Sequence, residues 1–379
     1  IGPYRLLQQI GEGGMGEVWL AEQETPRRRV ALKVIRPGMD TKQVIARFEI
    51  ERQALALMDH PCIAKVFDAG ETQRGRPYFV MEYVEGIPIN NFCDQNRLGL
   101  RERLDLFVLV CDGVQHAHQK AIIHRDLKPS NILVGQDDGH HVPKIIDFGV
   151  AKATERSRAE VTLHTEYGVM IGTPEYMSPE QAGLGPGDVD TRTDIYSLGV
   201  ILYELLAGVP PFSRETLRSA GIAEIQRIIR EVDPPRPSTR VSTLGDDSAA
   251  VARRHRTAPQ TLVRELRGEL DWVVLKAMEK DRERRYASPA GLSADLQRYL
   301  TDVPLEARPP STGYRLRKFA RRNRLAITVV AAVVLGLLGL SAGVTVALVE
   351  SNRQRALTET ALAETAEARD EAEAGAGRG

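Results

Sequence analysis

The 379-residue sequence predicts an α+β fold: a small lobe built on an antiparallel sheet, a larger helical lobe, and then one membrane-spanning helix. Three observations predict it. Up to about residue 85, short apolar runs alternate with turns, as antiparallel strands do. From Leu100 the apolar residues recur at three and four, a helical period. Residues 325–349 carry no charge, and about 20 apolar residues at about 1.5 Å each suffice to cross a bilayer.

Taken in order, residues 4–10 form a strand that enters a glycine-rich turn. Residues 18–22 and 30–35 are strands, with residues 25–29 as the turn between them. Val44, Phe48, Glu51, Leu55 and Met58 share one helical stripe, and Pro61 ends that helix. Residues 64–67 and 78–81 are two further strands. Leu104, Phe107, Val108, Val110, Cys111 and Val114 make a helix suited to burial. Residues 124–131 are a strongly polar loop, expected between two short buried strands at 121–123 and 132–134. Residues 195–206 are a buried helix. The 213–268 stretch is less regular. Residues 224–232 read as helix, the prolines of 233–238 forbid one, and the basic residues 248–267 fit a helix or a mobile segment. Helical patterning returns over 269–300. The Ala- and Glu-rich residues 356–374 read as a helix, either a coiled-coil stub or a linker.

Formal charge is zero, so nothing in bulk charge favours nucleic acid. Cys62, Cys93 and Cys111 have no metal-like spacing and read as buried thiols of a reducing compartment. The chain opens on Ile1 rather than Met and is expected to be a fragment or a processed form. Charge is concentrated late: six cations over 315–324, then the uncharged run, then an acidic segment over 350–379. The expected division is a main domain over 4–300 (small lobe about 4–85, larger lobe about 86–300), a basic juxtamembrane segment over 301–324, a transmembrane helix over 325–349 and an acidic extracytoplasmic tail over 350–379.

The chemistry is concentrated in four places. Gly11-Glu12-Gly13-Gly14-Met15-Gly16-Glu17-Val18 lies between two strands, where backbone N–H groups can approach a phosphate with no Cβ in the way; a plain flexible hairpin is the alternative. A strand after this turn, where a helix would be needed, excludes a dinucleotide-binding fold. Lys33 lies in an apolar strand and needs an anionic partner unless that strand is at an edge. Glu51 is the candidate, on the stripe of Phe48 and Leu55. His124, Arg125, Asp126, Lys128 and Asn131 fall within eight residues. Asp147 ends a further strand, and with Asn131 it offers hard oxygen ligands suited to Mg²⁺.

In this order and spacing, these motifs resemble the protein-kinase signature, and the chain is similar to bacterial Hanks-type Ser/Thr protein kinases. The glycine loop, Val30-Ala31-Leu32-Lys33, the 124–131 loop and Asp147-Phe148-Gly149 carry the resemblance. Ser178-Pro179-Glu180 stands where Ala-Pro-Glu is usual. Residues 4–300 are covered, and Gly13-Gly14-Met15-Gly16 and Ser178-Pro179-Glu180-Gln181-Ala182 are similar to the membrane-anchored bacterial members. The resemblance implies the bilobal kinase fold and the cofactors ATP and Mg²⁺, with Mn²⁺ as an alternative metal. It implies that Ile10 to Val18 cover the phosphates, and that Lys33, oriented by Glu51, holds the α- and β-phosphates. Met81 would be the gatekeeper, Glu82 and Val84 would offer backbone hydrogen bonds to adenine, and Val18, Ala31 and Leu133 would sandwich the ring. Asp126 would receive the hydroxyl proton, Lys128 would contact the γ-phosphate, and Asn131 and Asp147 would bind metal. His124 would pack on Phe148, Asp194 would brace the loop, and Glu180 would pair with Arg285.

The same resemblance makes Arg125 the partner of a phosphate on the 150–177 segment. That segment holds Thr154, Ser157, Thr162, Thr165 and Thr173. Thr162 and Thr165 are the expected autophosphorylation sites, and Thr173 is the substrate-facing threonine. The alternatives to an active kinase are a nucleotide-binding pseudokinase or scaffold and a small-molecule kinase of similar fold. The six cations before the apolar run place the main domain in the cytoplasm of a single-pass membrane protein. Ala332, Gly336, Gly339 and Gly343 fall on one helix face, a small-residue pattern that suggests a homodimer.

Overall fold

A computed structural model of the chain describes residues 1–13, 16–35, 58–137, 139–148, 173–183, 189–307, 314, 318–319 and 323–376. The chain divides into two compact units, 1–309 and 310–379.

The first unit opens with a five-stranded antiparallel sheet in the order β1-β2-β3-β5-β4. Its strands are β1 (Tyr4–Gly13), β2 (Gly16–Gln23), β3 (Arg28–Ile35), β4 (Val66–Glu71) and β5 (Pro77–Glu82). Gly13 pairs with Gly16, so the glycine-rich stretch lies at the closed end of the β1–β2 hairpin. Gly16 is required there because a Cβ would collide with the Val34 carbonyl oxygen of β3. β3 is central and β-branched, and Val30, Leu32 and Val34 bury one side with Tyr4, Ala21, Tyr78 and Val80. Alternation then sends Ala31 and Lys33 to the other side, opposite Met81 and Phe79 of β5.

The fourth strand lies later than the expected 64–67. Ile63 instead forms a parallel bridge with Ile145, and the Ala64 N–H donates to the Ile145 carbonyl at 3.0 Å. These apolar residues are drawn to the second lobe, and pairing in the five-stranded sheet begins only at Val66. The helix expected over 40–58 falls almost wholly outside the described residues.

The larger lobe holds a second sheet, β6 (Gly86–Pro88), β7 (Ile132–Asp137) and β8 (His140–Ile145), and helices α1 (Ile89–Gln95), α2 (Leu100–Gln119) and α3 (Arg192–Ala207). Leu104, Phe107, Val110, Cys111 and Val114 of α2 are fully buried. Each large apolar side chain so buried contributes about 1.5–3 kcal/mol of transfer free energy. α3 is buried on nearly all sides and ends at Gly208, whose φ of 73° supplies a left-handed cap that a Cβ would crowd against Val251. All three cysteines are buried and free.

Residues 121–123 are not the expected strand. They finish α2: Ala121 turns left-handed at φ 58°, and the Ile122 N–H returns to the Ala117 carbonyl at 3.0 Å. An apolar run that short serves equally well as a helix terminus packed on the core. Next come α4 (Arg214–Ser219), α5 (Ile222–Glu231), α6 (Pro237–Thr243), α7 (Asp247–Arg254) and α8 (Pro259–Leu266), then α9 (Glu269–Ala277) and α10 (Pro289–Leu300). The basic 248–267 stretch is therefore mostly two short helices. The proline-rich stretch is non-helical only to Arg236, because Pro237 starts α6 at the first helical position, where a missing N–H costs nothing.

The second unit contains one long helix, α11 (Arg324–Ala376), of 53 residues. It is long and apolar enough to cross a membrane. No break separates the apolar run from the acidic segment, so the expected helical tail continues the same helix. Gly336, Gly339 and Gly343 lie along it with open space around their Cα atoms.

Candidate active site

The polar loop after α2 is held by one buried carboxylate. Asp194, near the start of α3, is fully buried and accepts from the N–H groups of His124 and Arg125, each at 2.8 Å. His118 of α2 is 2.8 Å from the same carboxylate through Nε2. Burial works against the ionised form of Asp194, yet the His118 hydrogen bond and the positive charge and N–H donors around it outweigh burial and hold the carboxyl below its ordinary range. Glu180 is likewise held low: burial opposes it, and its hydrogen bonds to Arg285 prevail.

Both folded pKa values are depressed, so the stability these groups contribute is complete above the ordinary values of 4.5 and 3.8. It is lost as pH falls through the lower folded values. We expect the urea midpoint of the chain to fall gradually from about pH 6.5, where the unfolded chain protonates His255 and the buried ring, held at about 3, does not, and to drop more steeply below about pH 4 as these carboxylates protonate. A midpoint that falls no more steeply below about pH 4 than between about pH 6.5 and about pH 5 would reject this.

The held loop converges its polar groups. Arg125 is at φ 65° and its carbonyl accepts from Gln181 Nε2 at 2.7 Å. The Asp126 N–H donates to His124 Nδ1 at 3.3 Å, so His124 Nε2 carries the proton donated to the Ile146 carbonyl at 3.1 Å. The His124 ring packs on Phe148 with centroids 4.7 Å apart, as expected. Lys128 Nζ donates to Asp126 Oδ2 at 2.8 Å and reaches Thr173 Oγ at 3.5 Å. Asn131 Nδ2 donates to the Asp126 carbonyl at 2.8 Å, and its amide oxygen has no donor among the described residues.

From the sheet lobe, the buried Lys33 Nζ makes an ion pair and hydrogen bond with Asp147 Oδ1. Asp147 itself stands at φ 60°, a conformation unfavourable for a residue with a Cβ and found at sites that fix a side chain. Glu51, the expected partner of Lys33, lies outside the described residues, as do Gly14, Met15, Thr154, Ser157, Thr162 and Thr165. Met81 stands opposite Ala31 in the register, and Leu133 is on β7. Glu82 donates its N–H to the Lys65 carbonyl at 2.8 Å, so a base there would meet its carbonyl rather than its N–H. Its carboxylate is occupied by Lys144 at 2.7 Å.

Several positioning residues were not singled out from the sequence. His118, Gln181 and Glu204 act across 76, 56 and 28 residues of chain respectively. Glu204 accepts from Tyr176 Oη at 2.5 Å and from Asn90 at 3.0 Å. Asn90, Tyr176 and Glu204 line a cleft of about 1270 Å³ that runs from Lys128 and Thr173 to α4 and α5. No local periodicity marks such residues.

Among the described residues, no three acids, histidines or cysteines converge as a self-sufficient metal cage. The amide oxygen of Asn131 and the carboxylate of Asp147 are two hard donors, which fits a cation completed by phosphate and water.

The chain matches the protein kinase domain family over residues 4–292. It is 35% identical over 315 residues to serine/threonine-protein kinase Pkn1 of Myxococcus xanthus, covering 82% of this chain and 40% of that protein. It is 36% identical over 310 residues to serine/threonine-protein kinase PknB of Mycobacterium tuberculosis, covering 80% of this chain and 44% of that protein. The chain thus spans less than half the length of these relatives. The crystal structure of the Mycobacterium tuberculosis PknI kinase domain is similar with a TM-score of 0.55 at 24% identity, covering 79% of this chain and 96% of that one. The fold, the converging loop and these matches lead to one conclusion: the chain belongs to the protein kinase family.

Proposed function

We propose that this chain transfers the γ-phosphoryl group of ATP to serine and threonine hydroxyls of proteins. The observation that carries the reading is Lys128, whose ammonium contacts both the Asp126 carboxylate and the Thr173 hydroxyl. A threonine beside the acid and the cation is what recognition of a hydroxyl-bearing residue requires. The cleft of about 1270 Å³ leading away from it exceeds what a small acceptor fills, which supports a protein over a small molecule as acceptor.

In the proposed reaction the acceptor hydroxyl oxygen forms a bond to γ-phosphorus, the bond from phosphorus to the β,γ-bridging oxygen breaks, and Asp126 receives the hydroxyl proton. Lys128 offsets charge on the transferring group, and Lys33 holds the α- and β-phosphates. Asn131 and Asp147 hold Mg²⁺ or Mn²⁺, which neutralises phosphate charge when bound. The glycine-rich hairpin covers the phosphates with backbone N–H groups, and Ala31, Val18 and Leu133 flank adenine beside Met81, Glu82 and Val84.

Arg125 is the proposed receiver of an activating phosphate at Thr162 or Thr165, supported by its buried Nε, which has no hydrogen-bond partner among the described residues. The chain is read as single-pass, with its kinase domain (4–300) on the cytoplasmic side of the 301–324 basic segment and a homodimer face at Gly336, Gly339 and Gly343. The test is incubation of the full chain with γ-labelled ATP, a divalent metal and a mixed Ser-, Thr- and Tyr-containing peptide library. Label is expected on serine and threonine only; label on tyrosine, or none in excess of a metal-free control, would reject the reading.

A further inference from the structure

We propose that the cleft between the α7–α8 turn and the loop after α1 is a docking site for a phosphorylated segment of a protein. The cleft holds about 650 Å³ and is lined by Arg97, Arg253, Arg254 and Arg256; its other lining residues are alanines and a threonine. None of these residues belongs to the catalytic constellation.

The charge in the cleft is not balanced. Arg254 pairs with Asp94 at 3.0 Å, and Arg256 pairs with Glu102. Arg97 and Arg253 are exposed and have no acidic partner among the described residues. Behind them the buried Arg103 also draws on Asp94, at 2.8 Å, and otherwise on backbone carbonyls. Five guanidinium groups therefore share two carboxylates. His255, between Arg254 and Arg256, responds to that field. Its ring is buried, neither nitrogen has a hydrogen-bond partner among the described residues, and burial together with the charges of Arg103 and Arg254 pushes its pKa down to about 3. The histidine thus adds no positive charge, chiefly because it is buried and secondly because Arg103 and Arg254 lie beside it. Arg97 and Arg256 also stand at left-handed φ values of 49° and 53°, where glycine would be unstrained.

The chemistry of the ligand follows from the forks. Planar guanidinium groups bind phosphate in paired hydrogen bonds, and a phosphate monoester carries nearly twice the charge of a carboxylate. Arginines from two separate segments, residue 97 and residues 253–256, converge on one volume, which favours a discrete anionic group over an extended anionic surface. Membrane-surface binding also uses large apolar anchors, and the lining contains none. A phosphoserine or phosphothreonine on a peptide meets both conditions, and such residues are the product of the proposed reaction. The docking site does not depend on that reaction, however, because binding needs no turnover.

The test uses the full chain in detergent micelles. Its probe is a fluorescent peptide mixture with central phosphoserine and no other serine, threonine or tyrosine. The phosphorylated mixture is expected to bind about tenfold or more tightly than an alanine-centred one, as two charge-assisted contacts would give. The Arg97→Ala/Arg253→Ala pair should lose that difference while phosphoryl transfer to a generic substrate stays unchanged. Both arginines are exposed and neither is in an ion pair among the described residues, so no buried contact is lost; Arg253→Gln alone is the second variant, with an intermediate loss expected. Equal binding by the double variant would overturn the proposal. So would competition by inorganic phosphate as strong as that by phosphopeptide, or stronger competition by glycerophosphoserine, which would mark a lipid-headgroup site. Labelling of a substrate by ATP in the same preparation separates failure here from failure of the kinase reading.

Discussion

Asp126→Asn is expected to lower phosphoryl transfer by about 10² to 10⁴-fold, the span associated with loss of a positioned general base. The substitution keeps the shape of the side chain and the loop geometry. Asp194 still accepts from His124 and Arg125, and Asn131 still donates to the residue-126 carbonyl. What changes is the charge facing Lys128, 2.8 Å away, and the ability to take the hydroxyl proton. Nucleotide binding should change little, since no phosphate contact is proposed for Asp126. The comparison to make is kcat against the affinity for ATP, measured on the same preparation. A variant that retains transfer would remove Asp126 from the mechanism, and a parent chain that binds ATP but transfers nothing would favour the pseudokinase alternative.

Arg285→Ala should be the most destabilising single change among the polar residues, at about 3–5 kcal/mol, because it leaves a buried carboxylate uncompensated. The Arg285 side chain is fully buried and meets both oxygens of Glu180 at 2.7 and 2.8 Å. It also donates to the carbonyls of Glu279, Lys280 and Arg192, which ties the segment after Ser178 to α3 and to the turn before α10. Glu180→Ala should cost less, since those carbonyls still satisfy part of the guanidinium. The double variant should cost less than the sum of the two singles. Urea unfolding of the four forms in a double-mutant cycle measures the difference. Additive effects would mean that the pair is a surface-like contact with little coupling.

How far each feature could be read from sequence depended on whether its cause was local. Strands β1, β2, β3 and β5 and helices α2, α3 and α5 follow from apolar period and turn residues, and they formed close to the expected positions. The apolar runs at 121–123 and 64–67 predict strands, but the first forms none and the second joins its sheet only from Val66, because short apolar runs look alike whether they cap a helix, bridge to another lobe or join a sheet. Pro237 has the composition of a breaker, yet at the first position of a helix it initiates.

The site divides along the same line. By itself the sequence determined which chemical groups are present and in what order: the acid, lysine and amide of 124–131, Lys33 on its strand, Asp147 at the end of β8, and the glycines between β1 and β2. These are close in sequence to the backbone features that hold them, so motif and spacing suffice. Only the tertiary structure decided who partners whom. Lys33 meets Asp147 across 114 residues, Asp194 receives the loop from 70 residues away, and Arg103 gathers carbonyls from segments as far apart as Cys93 and Arg254. The arginine cleft is likewise a product of folding, since Arg97 and Arg253 come from different elements and leave no joint pattern in the chain. Pairing of buried charge is set by which segments the packed core brings within a few ångströms, and local periodicity does not carry that information.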